Sequence, residues 1–95
     1  MMVQKKRIAI LGSTGSIGTQ ALEVVRSHRD AFEVTVLVAR RSTELLIAQA
    51  LEFVPSAVVI ADAAHYAAVS QALSHTSIEV LAGSDAISEV VVRPD

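Results

Sequence analysis

The chain has 95 residues, of which 52% are hydrophobic and 19% are charged, and it contains no cysteine. Its length favours one small globular domain, and the lack of cysteine excludes disulfide frameworks and thiolate metal sites. The formal net charge is −2, and the only aromatic residues are one Tyr and two Phe. This composition lacks the basic surface and the stacking platform typical of nucleic-acid binding, so no nucleic-acid partner is expected.

The first residues, MMVQKKRIAILG, briefly follow the pattern of a secretory signal. The apolar run Ile8–Leu11 is too short for such a signal because it ends at Gly12. No other window is long and apolar enough to cross a bilayer. We therefore expect a cytoplasmic protein with no membrane partner.

Four short apolar runs predict β-strands. They read RIAIL, VTVLVA, AVVIA and IEVL, at Arg7–Leu11, Val34–Ala39, Ala57–Ala61 and Ile78–Leu81. The first three lack an alternation of apolar and polar residues, which is typical of parallel strands buried on both faces.

The segments between these runs have the apolar spacing of helices. The predicted buried stripes are Ile17, Ala21, Val24 and Val25, then Leu46, Ala50, Phe53 and Val54, and more weakly Tyr66, Val69 and Leu73. Asp62 is placed to cap the third helix. Ser84 or Asp85 is placed to cap a fourth helix, although its β-branched end fits a strand equally well.

Strands that alternate with helices of this length predict parallel pairing with right-handed crossovers. The expected fold class is α/β, a Rossmann-like doubly wound parallel sheet in three αβα layers. Such a sheet needs cover on both faces, and the chain stops soon after its last predicted element. We therefore expect residues 1–95 to be a single truncated domain, the N-terminal part of a longer protein.

The stretch ILGSTGSIGTQALEVV places three glycines where the first strand ends and the first helix begins. In a dinucleotide-binding fold, one glycine allows a tight turn and another lets the backbone approach a pyrophosphate. A third lets helix and strand pack closely. Gly12, Gly15 and Gly18 have a spacing that departs from the commoner G-x-G-x-x-G, but their place after the first strand favours phosphate binding.

Small polar residues between these glycines offer hydroxyl donors to the same phosphates. They are Ser13, Thr14 and Ser16. A Walker-type loop is excluded because no Gly-Lys-Ser/Thr follows. The alternative is a glycine-rich turn that binds nothing.

The end of the second strand indicates which dinucleotide is bound. A fold that binds NAD usually has an acidic residue there, about 20 residues beyond the glycines, to accept from the ribose hydroxyls. This chain instead has Arg40, Arg41, Ser42 and Thr43. Two guanidinium groups suit a 2′-phosphate, so we expect NADPH. The alternative is a solvated basic loop in which Ser42 or Thr43 only caps the next helix.

Together these segments resemble a known family. ILGSTGSIGTQALEVVRSH, FEVTVLVARRSTELLIAQALEFVPSAVVIAD and IEVLAGSDAI are similar to the N-terminal NADPH-binding region of the 1-deoxy-D-xylulose 5-phosphate reductoisomerases. The similarity covers essentially the whole chain. GSTGSIG followed by a helix with the pattern Leu-Glu-Val-Val is more distinctive of this family than the glycines alone.

The resemblance implies particular cofactor contacts. They fall on Thr14, Gly15, Ser16 and Ile17 in the glycine turn, and on Arg40, Arg41 and Ser42 after the second strand. The family usually has Gly-Lys-Asn or a close variant at the last three positions. Arg40 replaces that glycine and is the main departure, at a place where the added charge could compensate for a lost backbone contact.

The resemblance also implies an oxidoreductase and isomerase of non-mevalonate isoprenoid biosynthesis. Such an enzyme rearranges 1-deoxy-D-xylulose 5-phosphate and reduces the product with NADPH to 2-C-methyl-D-erythritol 4-phosphate. It uses Mg²⁺ or Mn²⁺ and is a homodimer. In the family the metal ligands and the sugar-phosphate site belong to later domains, so this chain alone is expected to bind NADPH without turnover.

No catalytic or metal-binding residue is assigned within the chain. His28, His65 and His75 are interpreted as surface or helix-end residues, because no carboxylate cluster accompanies them. One alternative function is another NADPH-dependent reductase, such as a semialdehyde dehydrogenase. Another is a nucleotide-sensing module that has no catalytic activity.

Overall fold

The structure is a computed structural model that describes residues 6–83 and 85–87. Strands and helices alternate along the chain, as the sequence predicts. They are β1 (Lys6–Leu11), α1 (Ser16–Ser27), β2 (Phe32–Ala39), α2 (Thr43–Phe53), β3 (Ala57–Ile60), α3 (Tyr66–Ala72) and β4 (Glu79–Ala82). A 3₁₀ turn, Ala63–His65, precedes α3, and its first N–H groups are capped by Asp62, whose carboxylate accepts from Ala64 N at 3.1 Å.

The predicted fourth helix is described only at its start. Residues 85–87 are helical, with Ala86 buried. Ser84 and the β-branched end of the predicted helix lie outside the described residues.

The four strands form one parallel sheet in the order β1-β2-β3-β4. The predicted α/β fold with a parallel sheet is therefore confirmed. Right-handed crossovers between consecutive neighbours put all the connecting helices on one face. Because the strands are parallel, their carboxyl ends also meet at one edge of the sheet.

The two faces of the sheet are covered differently. On the helical face, α1, α2 and α3 contribute Leu22, Val25, Leu46, Ala50, Val69 and Leu73 to the main hydrophobic core. On the opposite face, a smaller cluster of Val36, Val38, Ala57 and Val59 packs against Ala86. Of the third layer that the sequence predicts, the described part of the chain therefore includes residues 85–87.

The buried face of α1 differs from the prediction. The apolar spacing puts Ile17 and Val24 in the buried stripe, but their exposed fractions are 84% and 55%. The residues that α1 buries are Gly18, Leu22 and Val25. A glycine carries no apolar side chain, so the hydrophobic periodicity could not show that the helix packs through position 18.

A charged cluster joins the ends of α1 and α2 away from the carboxyl edge of the sheet. Glu52 accepts from Arg26 Nε at 2.5 Å and Arg26 Nη2 at 2.8 Å, and from Arg29 Nη2 at 3.0 Å. The guanidinium groups of Arg26 and Arg29 also lie over the Phe53 ring, 5.4 and 4.7 Å from its centroid. The hydrogen bonds from Arg26 hold the pKa of the Glu52 carboxyl below its ordinary value of 4.5.

We expect this cluster to make stability depend on pH. A carboxyl whose pKa is lowered on folding stabilises the folded state above the unfolded pKa, and this contribution is lost as the pH falls through the folded pKa. Glu52→Gln should therefore lower the urea midpoint modestly at pH 7, since exposed ion pairs contribute little. The difference from the unmodified chain should shrink below pH 4.5.

Glu33→Gln is the matched control, because it removes the same charge from an exposed side chain of β2. A gap between Glu52→Gln and the unmodified chain that stays constant from pH 7 to pH 3 would contradict the expectation.

Candidate functional site

A cleft of about 660 Å³ opens where β1, β2 and β3 end. In open parallel sheets, the crevice at the carboxyl ends of the strands is the usual place for a ligand. Its wall combines apolar side chains with charged groups. The lining residues are Leu11, Gly12, Val38, Ala39, Arg40, Arg41, Ala61, Asp62 and Ile87.

The glycine turn is fixed to the neighbouring strand through its backbone. Gly12 N and Ser13 N both donate to the carbonyl oxygen of Val38, each at 2.8 Å. Gly12 has a φ of +76°, a conformation that side chains disfavour. The chain therefore turns away from β1 immediately at Gly12, beside the end of β2.

Gly18 is required by packing. A Cβ atom at this position would lie 2.1 Å from the carbonyl oxygen of Gly12 and 2.7 Å from the Cα atom of Ser13. Both obstacles are backbone atoms, so no change of rotamer could relieve the contact. The missing side chain lets the first turn of α1 lie directly against the end of β1.

Gly15 is different from the other two glycines. A Cβ atom there would make only ordinary contact, 3.5 Å from the carbonyl oxygen of Gly12, and the φ of Gly15 is −80°. Neither the backbone conformation nor the internal packing requires a glycine at this position. The open space beside Gly15 matters only if something outside the chain approaches it.

The N-terminus of α1 presents free hydrogen-bond donors at the same place. Gly15 is the N-cap and supplies no side-chain cap. The N–H groups of Ser16 and Ile17, both exposed residues of the first helical turn, therefore have no helical acceptor. Together with the positive end of the helix dipole, they form a site that suits an anion.

The basic residues after β2 lie in the cleft with their charges available. Arg40 and Arg41 are exposed and line the cleft. No hydrogen bond or ion pair among the described residues engages either guanidinium group. Ser42 is the N-cap of α2, but its side chain makes no capping hydrogen bond. The alternative in which this loop serves only to cap α2 is therefore disfavoured.

The predicted site residues are in different environments. Gly12, Arg40 and Arg41 line one cleft, and Ser16 is exposed at the helix start. The Ser13 side chain is fully buried, and its hydroxyl has no hydrogen-bond partner among the described residues. Its expected role as a hydroxyl donor to the ligand is not available in this conformation.

Sequence reasoning overlooked Gln49. This residue of α2 is buried, and its Nε2 donates to the carbonyl oxygen of Ser13 at 2.9 Å. The available signal was a polar residue on an otherwise apolar helical face, since position 49 falls between the buried Leu46 and Ala50.

Metal clusters and membrane spans are both absent from the part of the chain that the structure describes. Residues 6–83 and 85–87 contain no group of three or more His, Asp or Glu side chains that could hold a metal ion. Within the same ranges, no helix combines the length and the apolar character needed to cross a membrane.

Fold and site together define a nucleotide-binding α/β domain, with a glycine turn before the first crossover helix and cations at the end of the adjacent strand. The family model described as 1-deoxy-D-xylulose 5-phosphate reductoisomerase matches residues 8–95. The chain belongs to this reductoisomerase family, which disfavours the semialdehyde dehydrogenase alternative.

Individual relatives agree with this assignment. A 1-deoxy-D-xylulose 5-phosphate reductoisomerase from Phocaeicola vulgatus is 53% identical over 87 residues, which are 92% of this chain and 23% of the relative. The solved reductoisomerase from Zymomonas mobilis, in complex with NADPH, is 35% identical with a TM-score of 0.87. That match covers 90% of this chain and 23% of the solved one.

A further solved reductoisomerase, in complex with NADPH, fosmidomycin and magnesium, is 30% identical with a TM-score of 0.85. The match covers 90% of this chain and 21% of the other. The chain therefore spans less than a quarter of the length of these relatives.

The contrast between the glycines can be tested by stability. Gly18→Ala should lower the free energy of unfolding by about 2–3 kcal/mol, because the clash with backbone outweighs the roughly 1 kcal/mol that alanine gains in helix propensity. Gly15→Ala should cost about 1 kcal/mol or less, the preference for glycine at an N-cap. Urea unfolding followed by circular dichroism measures both, and equal losses would contradict the different packing of the two positions.

Proposed function

We propose that this chain is the NADPH-binding part of a 1-deoxy-D-xylulose 5-phosphate reductoisomerase and that the cleft at the carboxyl ends of β1–β3 holds the cofactor. The observation that carries the proposal is Gly15 at the start of α1, where neither the backbone conformation nor the packing requires a residue without a side chain. A ligand that approaches the backbone closely explains a glycine there.

The pyrophosphate of the cofactor would lie against the glycine turn. The N–H groups of Thr14, Ser16 and Ile17 are the donors that the turn offers, and Gly15 leaves room for the phosphate oxygens. The hydroxyl of Ser16 is exposed and can add a further hydrogen bond. The helix dipole of α1 stabilises negative charge at this position.

The 2′-phosphate would be bound by Arg40, Arg41 and Ser42. Asp62 also lines the cleft, but two guanidinium groups outnumber one carboxylate, so this part of the cleft remains net positive. Val38 and Ile87 supply an apolar wall of the kind that adenine prefers. NADPH bound in this way would deliver its hydride at the nicotinamide end, toward parts of the protein outside this chain.

For the whole protein, the proposal extends to the reaction of the family. It comprises rearrangement of 1-deoxy-D-xylulose 5-phosphate and its NADPH-dependent reduction, with a divalent metal bound outside the described residues of this chain. Homodimerisation and a cytoplasmic location are part of the same proposal. Family membership supports the reaction, whereas the homodimer is what the resemblance implies and the location is an expectation from the sequence.

The arginines should make the chain prefer NADPH to NADH. A hydrogen bond to a charged group contributes about 1.5–3 kcal/mol net, which corresponds to roughly ten- to a hundredfold in affinity. Calorimetry should therefore give a dissociation constant for NADPH that is lower by this factor. Arg41→Ala should weaken NADPH binding by about tenfold and leave NADH binding nearly unchanged.

Arg7→Ala is the matched control, since it removes the same charge from an exposed residue of β1 that does not line the cleft. Equal affinities of the unmodified chain for NADPH and NADH would remove the role proposed for the arginines. Selective binding of ATP would instead favour a nucleotide-sensing module.

Gly15→Val should abolish NADPH binding while the fold stays near native, because the branched side chain would occupy the space proposed for the pyrophosphate. Circular dichroism checks the fold and calorimetry checks the binding. Val24→Ala on the exposed side of α1 serves as the control for a substitution in the same helix. Normal NADPH binding by a folded Gly15→Val chain would show that the turn is only structural.

A further inference from the structure

We propose that Gln49 is a positioning residue that aims the glycine turn at the pyrophosphate, an inference that rests on the proposed function. Its side chain extends from α2 to the turn, and Nε2 donates to the Ser13 carbonyl oxygen at 2.9 Å. Ser13 and Gln49 are 36 positions apart in the sequence and both are buried. The bond therefore joins the turn to a helix that is remote along the chain.

The geometry of a peptide bond explains what this contact does. The carbonyl of Ser13 and the N–H of Thr14 belong to one planar trans peptide and point in opposite directions. Because Gln49 holds the carbonyl toward the interior, the N–H of Thr14 points outward. Among the described residues, no backbone carbonyl accepts from this N–H, so it is available to a phosphate oxygen.

Three other hydrogen bonds hold the turn but do not involve the peptide between Ser13 and Thr14. Gly12 N and Ser13 N bond to Val38, and Gly15 N donates to the carbonyl oxygen of Gly12 at 3.0 Å. Within the described part of the chain, Gln49 makes the only hydrogen bond to this peptide.

Among the described residues, the Ser13 carbonyl oxygen is the only hydrogen-bond partner of the Gln49 side chain. Gln49 Oε1 and Ser13 Oγ are buried and have no hydrogen-bond partner. Unpaired buried polar atoms are costly. An apolar side chain of similar shape would avoid that cost at Gln49 Oε1, but it would leave the buried Ser13 carbonyl oxygen without a partner. The one bond that the amide does make is the bond to the turn.

Helix α2 also connects the two halves of the proposed site. Its N-cap is Ser42, directly after Arg40 and Arg41, and Gln49 lies two turns further along the same helix. The element that begins at the proposed 2′-phosphate site therefore also anchors the proposed pyrophosphate site.

The test uses Gln49→Met, which keeps the size of the side chain and removes the donor. The ligands are NADPH, NADH and 2′-AMP, which carries the 2′-phosphate but no pyrophosphate. Affinities for NADPH and NADH should fall by the same factor, about fivefold, the equivalent of one ordinary hydrogen bond. The affinity for 2′-AMP, measured by NMR titration, should not change.

Gln71→Met is the matched control, an exposed glutamine on α3, and it should bind all three ligands like the unmodified chain. Circular dichroism confirms that each variant is folded. If Gln49→Met does not fold, Gln49→Asn takes its place, because it buries no charge and its amide is one methylene too short to keep the bond to the Ser13 carbonyl.

The outcomes separate this inference from the function on which it rests. Unchanged NADPH affinity in a folded Gln49 variant would overturn the positioning role alone. An equal loss of 2′-AMP affinity would also overturn it, since general loosening of the domain would then explain the result. Failure of the unmodified chain to bind NADPH would overturn the proposed function, and the inference with it.

Discussion

The close approach of α1 to the end of β1 is the constraint on which the site depends. With no side chain at Gly18, the first turn of the helix lies against the backbone of Gly12 and Ser13. A Cβ atom 2.1 Å from a carbonyl oxygen would force the two elements apart. Without this contact, the N-terminus of α1 and its free N–H groups would be displaced from the carboxyl ends of the strands.

The three glycines are therefore present for three separate reasons. Gly12 provides a left-handed backbone conformation, and Gly18 provides space for packing. Gly15 meets neither need. As the N-cap of α1 it gains at most about 1 kcal/mol over alanine, and the proposed pyrophosphate gives its missing side chain a further role. A glycine pattern in a sequence does not distinguish conformation, packing and ligand approach, whereas contacts in a structure do.

The sequence was sufficient for the order and type of the elements, because short apolar runs and helical stripes do not depend on distant residues. It was wrong about the buried face of α1, where Ile17 is exposed and Gly18 is buried. Hydrophobic periodicity reports side chains, so it cannot detect a helix that packs through its backbone.

The strand order and the contact between Gln49 and Ser13 could not be predicted from the sequence, for a different reason. The turn and α2 meet only after β2 has paired with β1, which brings residues 36 positions apart into contact. A local pattern contains no information about such a pairing. The polar residue on the apolar face of α2 was visible, but its partner was a backbone carbonyl that no sequence pattern identifies.

Two pairs of arginines in this chain show how a fold separates structural charge from charge that is available to a ligand. Arg26 and Arg29 bind Glu52 and lie over Phe53, so their guanidinium groups are already engaged at the far ends of α1 and α2.

Arg40 and Arg41 line the cleft and have no ion-pair partner among the described residues. An engaged guanidinium group must break its own hydrogen bonds before it can bind a phosphate, whereas a solvated one only exchanges water. Binding a phosphate therefore costs less free energy at Arg40 and Arg41 than at Arg26 and Arg29. Together with the helix N-terminus, these arginines make the cleft complementary to a ligand with phosphates at two places, and a dinucleotide phosphorylated on its ribose is such a ligand.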